Sequence, residues 1–241
     1  FLTVSRSAFK TRREISSVWE NDGRSEHRPI FTLDGAEVVN LVSAWPFPRV
    51  GHWRTLIRAR GLGEVKTLSD AELNFFDHRR NLLAEFVPAS HSSRERELRQ
   101  QIVEIVHRAV DRYLMISTEG VVSARLDEDS FLITPTGVDR GSRSVQDVVL
   151  VRGGAREQNK LPSRSIQLHQ AIYAVHADVH CAMTAQCPNV TAYASTSTTF
   201  SSRTIPESYI LLRDLPTIPF KTLYTDVDQV AQMVSLSQPV L

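Results

Sequence analysis

The hydrophobic and polar positions of this chain change their rhythm near residue 93. From Arg94 onward, Leu98, Ile102, Ile105, Val106, Ala109 and Tyr113 recur at helical spacing between charged residues, which predicts a helix with one buried face. A Gly-containing turn at Glu119-Gly120 follows. Residues 121–126 and 131–134 are short apolar runs joined by an acidic turn at 127–129, the pattern of a β-hairpin. Pro135-Thr136-Gly137 breaks the second run, 148–151 reads as another strand, and Gly153-Gly154 as another turn. A helix is predicted over about 165–176, then a strand over about 178–185.

The first part is more broken. Asn21-Asp22-Gly23, Asp34-Gly35 and the Trp45-Pro46-Phe47-Pro48 run interrupt short apolar groups, and the clearest helix spans about 69–86. Ser69 is its N-cap, with Glu72 three residues on to complete a capping box. Arg-rich stretches at 10–13 and 54–60 are interspersed with acidic residues and read as solvated faces. We therefore divide the chain into an N-terminal extension of unassigned role, 1–93, and a main domain, 94–241.

Composition narrows the classes. With 41% hydrophobic and 23% charged residues over 241 positions, the chain can bury a substantial core, and wholesale disorder is excluded. The formal charge of +1 supplies no global field to recruit nucleic acid, so no nucleic-acid partner is expected. No apolar run reaches the roughly 18 residues of a membrane helix, and the start is not a signal peptide, so no membrane insertion is expected. Two cysteines, Cys181 and Cys187, make no disulfide framework. A cytoplasmic, reducing setting is expected. Both cysteines read as small buried residues, without the spacing of a metal motif. The chain stops in the apolar run Pro239-Val240-Leu241, and a continuation beyond it is expected.

Four segments, in order, carry a resemblance: Glu119-Gly120-Val121-Val122-Ser123-Ala124-Arg125, Phe131-Leu132-Ile133-Thr134-Pro135-Thr136-Gly137-Val138, Leu168-His169-Gln170-Ala171-Ile172-Tyr173 and Ala177-Asp178-Val179-His180-Cys181-Ala182. Together they resemble the class II aldolase/adducin family over about 94–235. The resemblance implies an α/β fold of the α+β type, in which a central, mainly antiparallel sheet lies between helices in three layers. It also implies a homo-oligomer, a tetramer in the family, with sites between subunits. In the family's enzymes a divalent metal, usually zinc, polarises an oxygen of a sugar phosphate while a carboxylate moves the proton. The paired metal histidines stand as His-x-His on a strand, where alternate residues share a face and can reach one ion.

This chain departs from that pattern. Thr184 and Gln186 occupy the metal-ligand positions, and a neutral hydroxyl or amide oxygen is a poor zinc ligand. Ser165 stands at the position of the catalytic Glu and cannot act as a carboxylate. A third metal histidine would fall just past Leu241. By resemblance, the phosphate cradle maps onto Gly120, Thr136, Gly137 and Ser163, with Arg164 replacing a Ser and Val121 replacing an Asn. Glycine admits close approach, hydroxyls donate, and Arg adds a cation. His169 reads as a packed helix residue with a structural hydrogen bond. His176 and His180 straddle the helix-to-strand break and share no helical face. Ser208 has no adjacent base, and Arg203 and Glu207 read as loop residues.

The expected function is a non-catalytic homologue that keeps an anion or sugar-phosphate pocket, with no cofactor. The alternative is a metal-dependent aldolase, lyase or epimerase acting on a small sugar phosphate, with zinc.

Overall fold

The computed structural model describes residues 30–33, 36–39, 50–77, 83–142, 144–215, 217–219 and 221–234. The turn signals at 21–23, 34–35 and 45–48, and the basic stretch at 10–13, lie outside the described residues. The chain forms two compact units, Phe1–Pro48 and Arg49–Leu241. In the first, β1 (Ile30–Leu33) and β2 (Ala36–Val39) pair antiparallel, with Leu33 opposite Ala36. The second unit groups residues 49–93 with the segments that carry the resemblance.

That unit is built on a six-stranded sheet in the order β3-β7-β6-β5-β4-β8. The strands are β3 (Glu85–Phe86), β4 (Val121–Arg125), β5 (Ser130–Ile133), β6 (Val149–Arg152), β7 (Ala155–Glu157) and β8 (Cys181–Thr184). Only the β3–β7 pair is parallel. Alternate strand residues point to opposite faces, so each strand supplies two cores. On one face Val121, Phe131, Ile133, Val149 and Val151 pack under α4 (Ile166–Val175) and residues of α8 (Val227–Met233). On the other, Val122, Ala124, Leu132 and Leu150 pack under α3 (Ser93–Asp111). The result is helix, sheet, helix. Ile102, Val106, Leu132 and Leu150 are at most 1% exposed. Each such aliphatic side chain contributes roughly 1.5–3 kcal/mol by leaving water.

Helix α3 starts where Ser92 caps it, its Oγ accepting from the Glu95 amide at 3.1 Å. Its buried face runs through Glu95, Arg99, Ile102, Val106 and Ala109. That corrects the expected stripe, since Ile105 is 37% and Tyr113 55% exposed. The two charged residues sit in the stripe because they are paired. Arg99 donates from Nε to Glu95 at 2.9 Å and from a terminal nitrogen to Glu157 at 2.8 Å, while Lys160 sits 2.6 Å from Glu157.

The Ser69–Glu72 capping box is present. The Ser69 amide donates to the Glu72 carboxylate at 2.8 Å, and the Glu72 amide donates to Ser69 Oγ at 3.4 Å. The helix it begins, α2 (Asp70–Asp77), is shorter than the expected 69–86, because Glu85 and Phe86 form strand β3 beside β7. Helix α1 (Val50–Leu62) carries the 54–60 arginines, and Arg54 lies over the Tyr113 ring at 4.5 Å. It packs on α5 (Pro188–Ala194). After α5 come a short 3-10 helix (Ser202–Thr204), α6 (Pro206–Leu212) and α7 (Thr222–Thr225). Among the described residues no helix is long and apolar enough to cross a membrane.

Candidate functional site

Strand β4 begins at Val121, and its two antiparallel neighbours, β5 and β8, end at Ile133 and Thr184. The segments before and after these strand ends therefore meet at one corner of the sheet. Thr184 lies opposite Val121 in the β4–β8 register. Beyond it the exposed Gln186 donates from its side-chain amide to the Glu119 carboxylate at 3.3 Å. Gly120 follows with φ +88°, and a Cβ there would lie 2.5 Å from Cγ of the buried Met115. Only glycine fits this turn without strain.

Thr136 and Gly137 leave the end of β5. A bridge between Pro135 and Pro162 lays the 160s segment beside them. The Thr136 amide donates to the Leu161 carbonyl at 3.0 Å, and the Ser163 amide to the Thr134 carbonyl at 3.0 Å. Those two amides are spent on holding the loops. The hydroxyls of Thr136 and Ser163 stand at this corner, with Gly137, an exposed residue with φ +70°. Ser163 is 5% exposed, and its Oγ lies 3.2 Å from Ser165 Oγ at the start of α4. Arg164 is exposed on the same turn.

Contacts thus run continuously from Gln186 through Glu119, Gly120 and Pro135 to Ser163 and Ser165. The buried Arg140, overlooked in the sequence, joins the middle of this chain. Its Nε donates to the Gly120 carbonyl at 2.7 Å, and one terminal nitrogen donates to the carbonyls of Pro135 at 3.2 Å and Val138 at 3.0 Å. An Arg three residues past a glycine turn carries no motif, so nothing in the one-dimensional pattern marks it.

A second polar cluster sits inside the core. Ser123 Oγ lies 2.6 Å from His169 Nδ1 and 2.7 Å from the Tyr173 hydroxyl. A serine beside an imidazole is the arrangement of an activated nucleophile. Here both residues are 0% exposed, so no substrate reaches them, and the cluster ties α4 to the sheet. Burial pushes the His169 pKa down to about 4 and holds the Tyr173 hydroxyl well above its ordinary range. His169 Nε2 is buried without a partner. The structural hydrogen bond expected for His169 is thus made to Ser123.

His176 caps the end of α4, and its Nε2 donates to the Ala231 carbonyl at 2.8 Å. Cys181 is exposed and Cys187 half-buried, which corrects the reading of both as buried residues. Cys181 lies on β8, outermost in the sheet among the described residues, and Cys187 at the N-cap of α5. Arg203 makes a two-pronged pair with Asp214, at 3.0 and 2.8 Å. A cleft of about 260 Å³ opens away from the corner, between α3 and the β4–β8 pair, with Arg94, Glu97, Gln101, Ile105, His180 and Cys181 on its walls. Among the described residues no three His, Cys, Asp or Glu side chains gather into a metal-binding group. At Thr184 and Gln186, where the resemblance implies metal ligands, the side chains offer a neutral hydroxyl and an amide whose nitrogen donates to Glu119, a set that does not fit zinc.

The chain is similar to proteins of known activity. The L-fuculose phosphate aldolase of Haemophilus influenzae is 34% identical over 96 residues, 36% of this chain and 44% of that protein. The enzyme of the same name from Escherichia coli strain K12 is 27% identical over 135 residues, 54% of this chain and 60% of that protein. The 3-oxo-tetronate 4-phosphate decarboxylase of Cupriavidus necator is 35% identical over 89 residues, 36% of this chain and 41% of that protein. The chain thus spans about half the length of the curated relatives it matches. Among solved structures, YgbL of Escherichia coli superposes with a TM-score of 0.49 at 22% identity, over 56% of this chain and 70% of that one. The model of the class II aldolase and adducin N-terminal domain matches residues 100–236, more than half of the chain, and the chain belongs to that family.

Proposed function

We propose that this chain is a non-catalytic member of the family, in which the corner around Gly120, Thr136, Gly137 and Ser163 binds a small phosphorylated ligand or other anion. One observation carries the reading. Thr184, Gln186 and Ser165 stand where the family resemblance implies metal ligands and a proton carrier, and the loops to which it assigns the phosphate are joined by hydrogen bonds at one corner. Arg164 lies beside Ser163 on the same turn, where it can add charge to the hydroxyl donors. With Thr136 and Ser163 amides already engaged, affinity rests on few groups, and a dissociation constant in the millimolar to high micromolar range is expected. The domain works in this reading as a homo-oligomeric binding or assembly module in the cytoplasm, with residues 1–93 as an added surface.

The second reading, a metal-dependent aldolase, lyase or epimerase on a small sugar phosphate, draws on the names of the relatives. Metal analysis and phosphate titration separate the two. The first reading expects substoichiometric zinc in purified protein, a melting temperature unmoved by chelator, and saturable binding of inorganic phosphate. Stoichiometric zinc lost together with stability on chelation supports the enzyme. Absence of saturable phosphate binding removes the pocket from either account.

A further inference from the structure

We propose that Arg140 is the positioning residue of the anion corner: its guanidinium fixes the two loops that carry Gly120 and Thr136-Gly137. The inference rests on the anion-pocket reading for its consequence, but its geometry stands apart from it. Arg140 is 2% exposed, and its guanidinium donates to main-chain carbonyls on both sides of the β4–β5 hairpin, Gly120 before it and Pro135 and Val138 after it. Its own amide donates to the Ser117 carbonyl at 2.7 Å, which adds a second hold on the loop before β4. That loop needs holding. It takes positive φ at Tyr113, Ser117 and Gly120, and two of these are not glycine.

Three features support the clamp, the first of them specific to arginine. First, the acceptors are spread. Nε serves Gly120 while a terminal nitrogen serves Pro135 and Val138, and only a planar fork with several fixed donors can span them. A lysine ammonium is a single point at the end of its stem. Second, carbonyl oxygens turned toward a buried cation are turned away from any anion in the corner, which they would otherwise repel. Third, each peptide plane is rigid, with N–H opposite C=O. Fixing the carbonyls of Gly120 and Val138 therefore fixes the amide directions of Val121 and Asp139. Val121 is where the family resemblance placed a lost side-chain donor, so main-chain direction matters more there.

The test compares Arg140→Lys with Val106→Ala in the 241-residue chain. Val106 of α3 is fully buried and takes no part in the hydrogen bonds of the corner loops, so its truncation destabilises the fold and leaves the guanidinium clamp in place. Two readouts are taken under conditions where both variants are folded: titration with inorganic phosphate, and amide hydrogen exchange at positions 136 and 140, whose amides are bonded to the Leu161 and Ser117 carbonyls. Arg140→Lys should weaken phosphate at least fivefold and speed exchange at those amides at least tenfold over Val106→Ala. Equal affinities and equal exchange in the two variants overturn the proposal. If the wild type itself does not bind phosphate, the pocket reading fails. The clamp is then judged on exchange alone, where faster loop exchange in Arg140→Lys supports it and parity with Val106→Ala refutes it. If Arg140→Lys does not fold, Arg140→Gln, which keeps a planar amide donor, is measured by the same criteria.

Discussion

Acidification should strike this protein first at His169, inside the sheet–helix interface. The imidazole is 0% exposed, holds Ser123 through Nδ1 at 2.6 Å, and has no partner for Nε2. Burial lowers its pKa from 6.5 to about 4, so the folded chain keeps it neutral where the unfolded chain would protonate it. The unfolded state then binds the extra proton below about pH 6.5, and stability falls with pH from there. Above that value the contribution is whole. At about pH 5 the loss from this one group is about 2 kcal/mol, and it levels off at about 3 kcal/mol once pH drops below the folded pKa. Urea unfolding at about pH 7.5 and about pH 5 measures it, with His169→Gln as reference, since Gln can still bond Ser123 but cannot titrate. Wild type should lose about 2 kcal/mol more than the variant between the two pH values. An equal loss in both, or an imidazole resonance of His169 titrating near its ordinary value, would refute the reasoning.

The buried ion network gives a second test. Replacing Arg99 by Met leaves Glu95 and Glu157 facing each other at 1% and 6% exposure, and should cost about 3–5 kcal/mol by denaturant unfolding. A loss below about 1 kcal/mol would show that the pair is effectively solvated. Gly120→Ala must place a Cβ 2.5 Å from Met115 Cγ at φ +88°, which should cost about 1–3 kcal/mol and lower the melting temperature. An unchanged melting temperature would mean that the turn relaxes freely.

Much of the fold was legible along the chain because its strands are short, apolar and bounded by turn residues, and because its helices keep a 3.6-residue period. The hairpin of β4 and β5, the helix after Ser165, the Ser69–Glu72 box and the family blocks all lie in local pattern. Strand β7 did not, since Ala155-Arg156-Glu157 has no apolar run and is a strand only because β6 and β3 flank it. The true buried stripe of α3 was also hidden. Glu95 and Arg99 keep the spacing of Ile102 and Val106, but a charge at a core position is credible only once its partners, Glu157 and Lys160, are seen across the fold.

The corner divides in the same way. The family resemblance, which rests on residue type along the chain, was enough to propose Thr184, Gln186 and Ser165 as the counterparts of the family's ligands and carboxylate. Which amides were already committed, that Gln186 would turn to Glu119, and that Arg140 would reach three carbonyls were decided by tertiary structure. Hydrogen bonds between loops distant in sequence leave no period and no spacing behind them. They depend on where strand ends meet, and only the folded sheet brings those ends together.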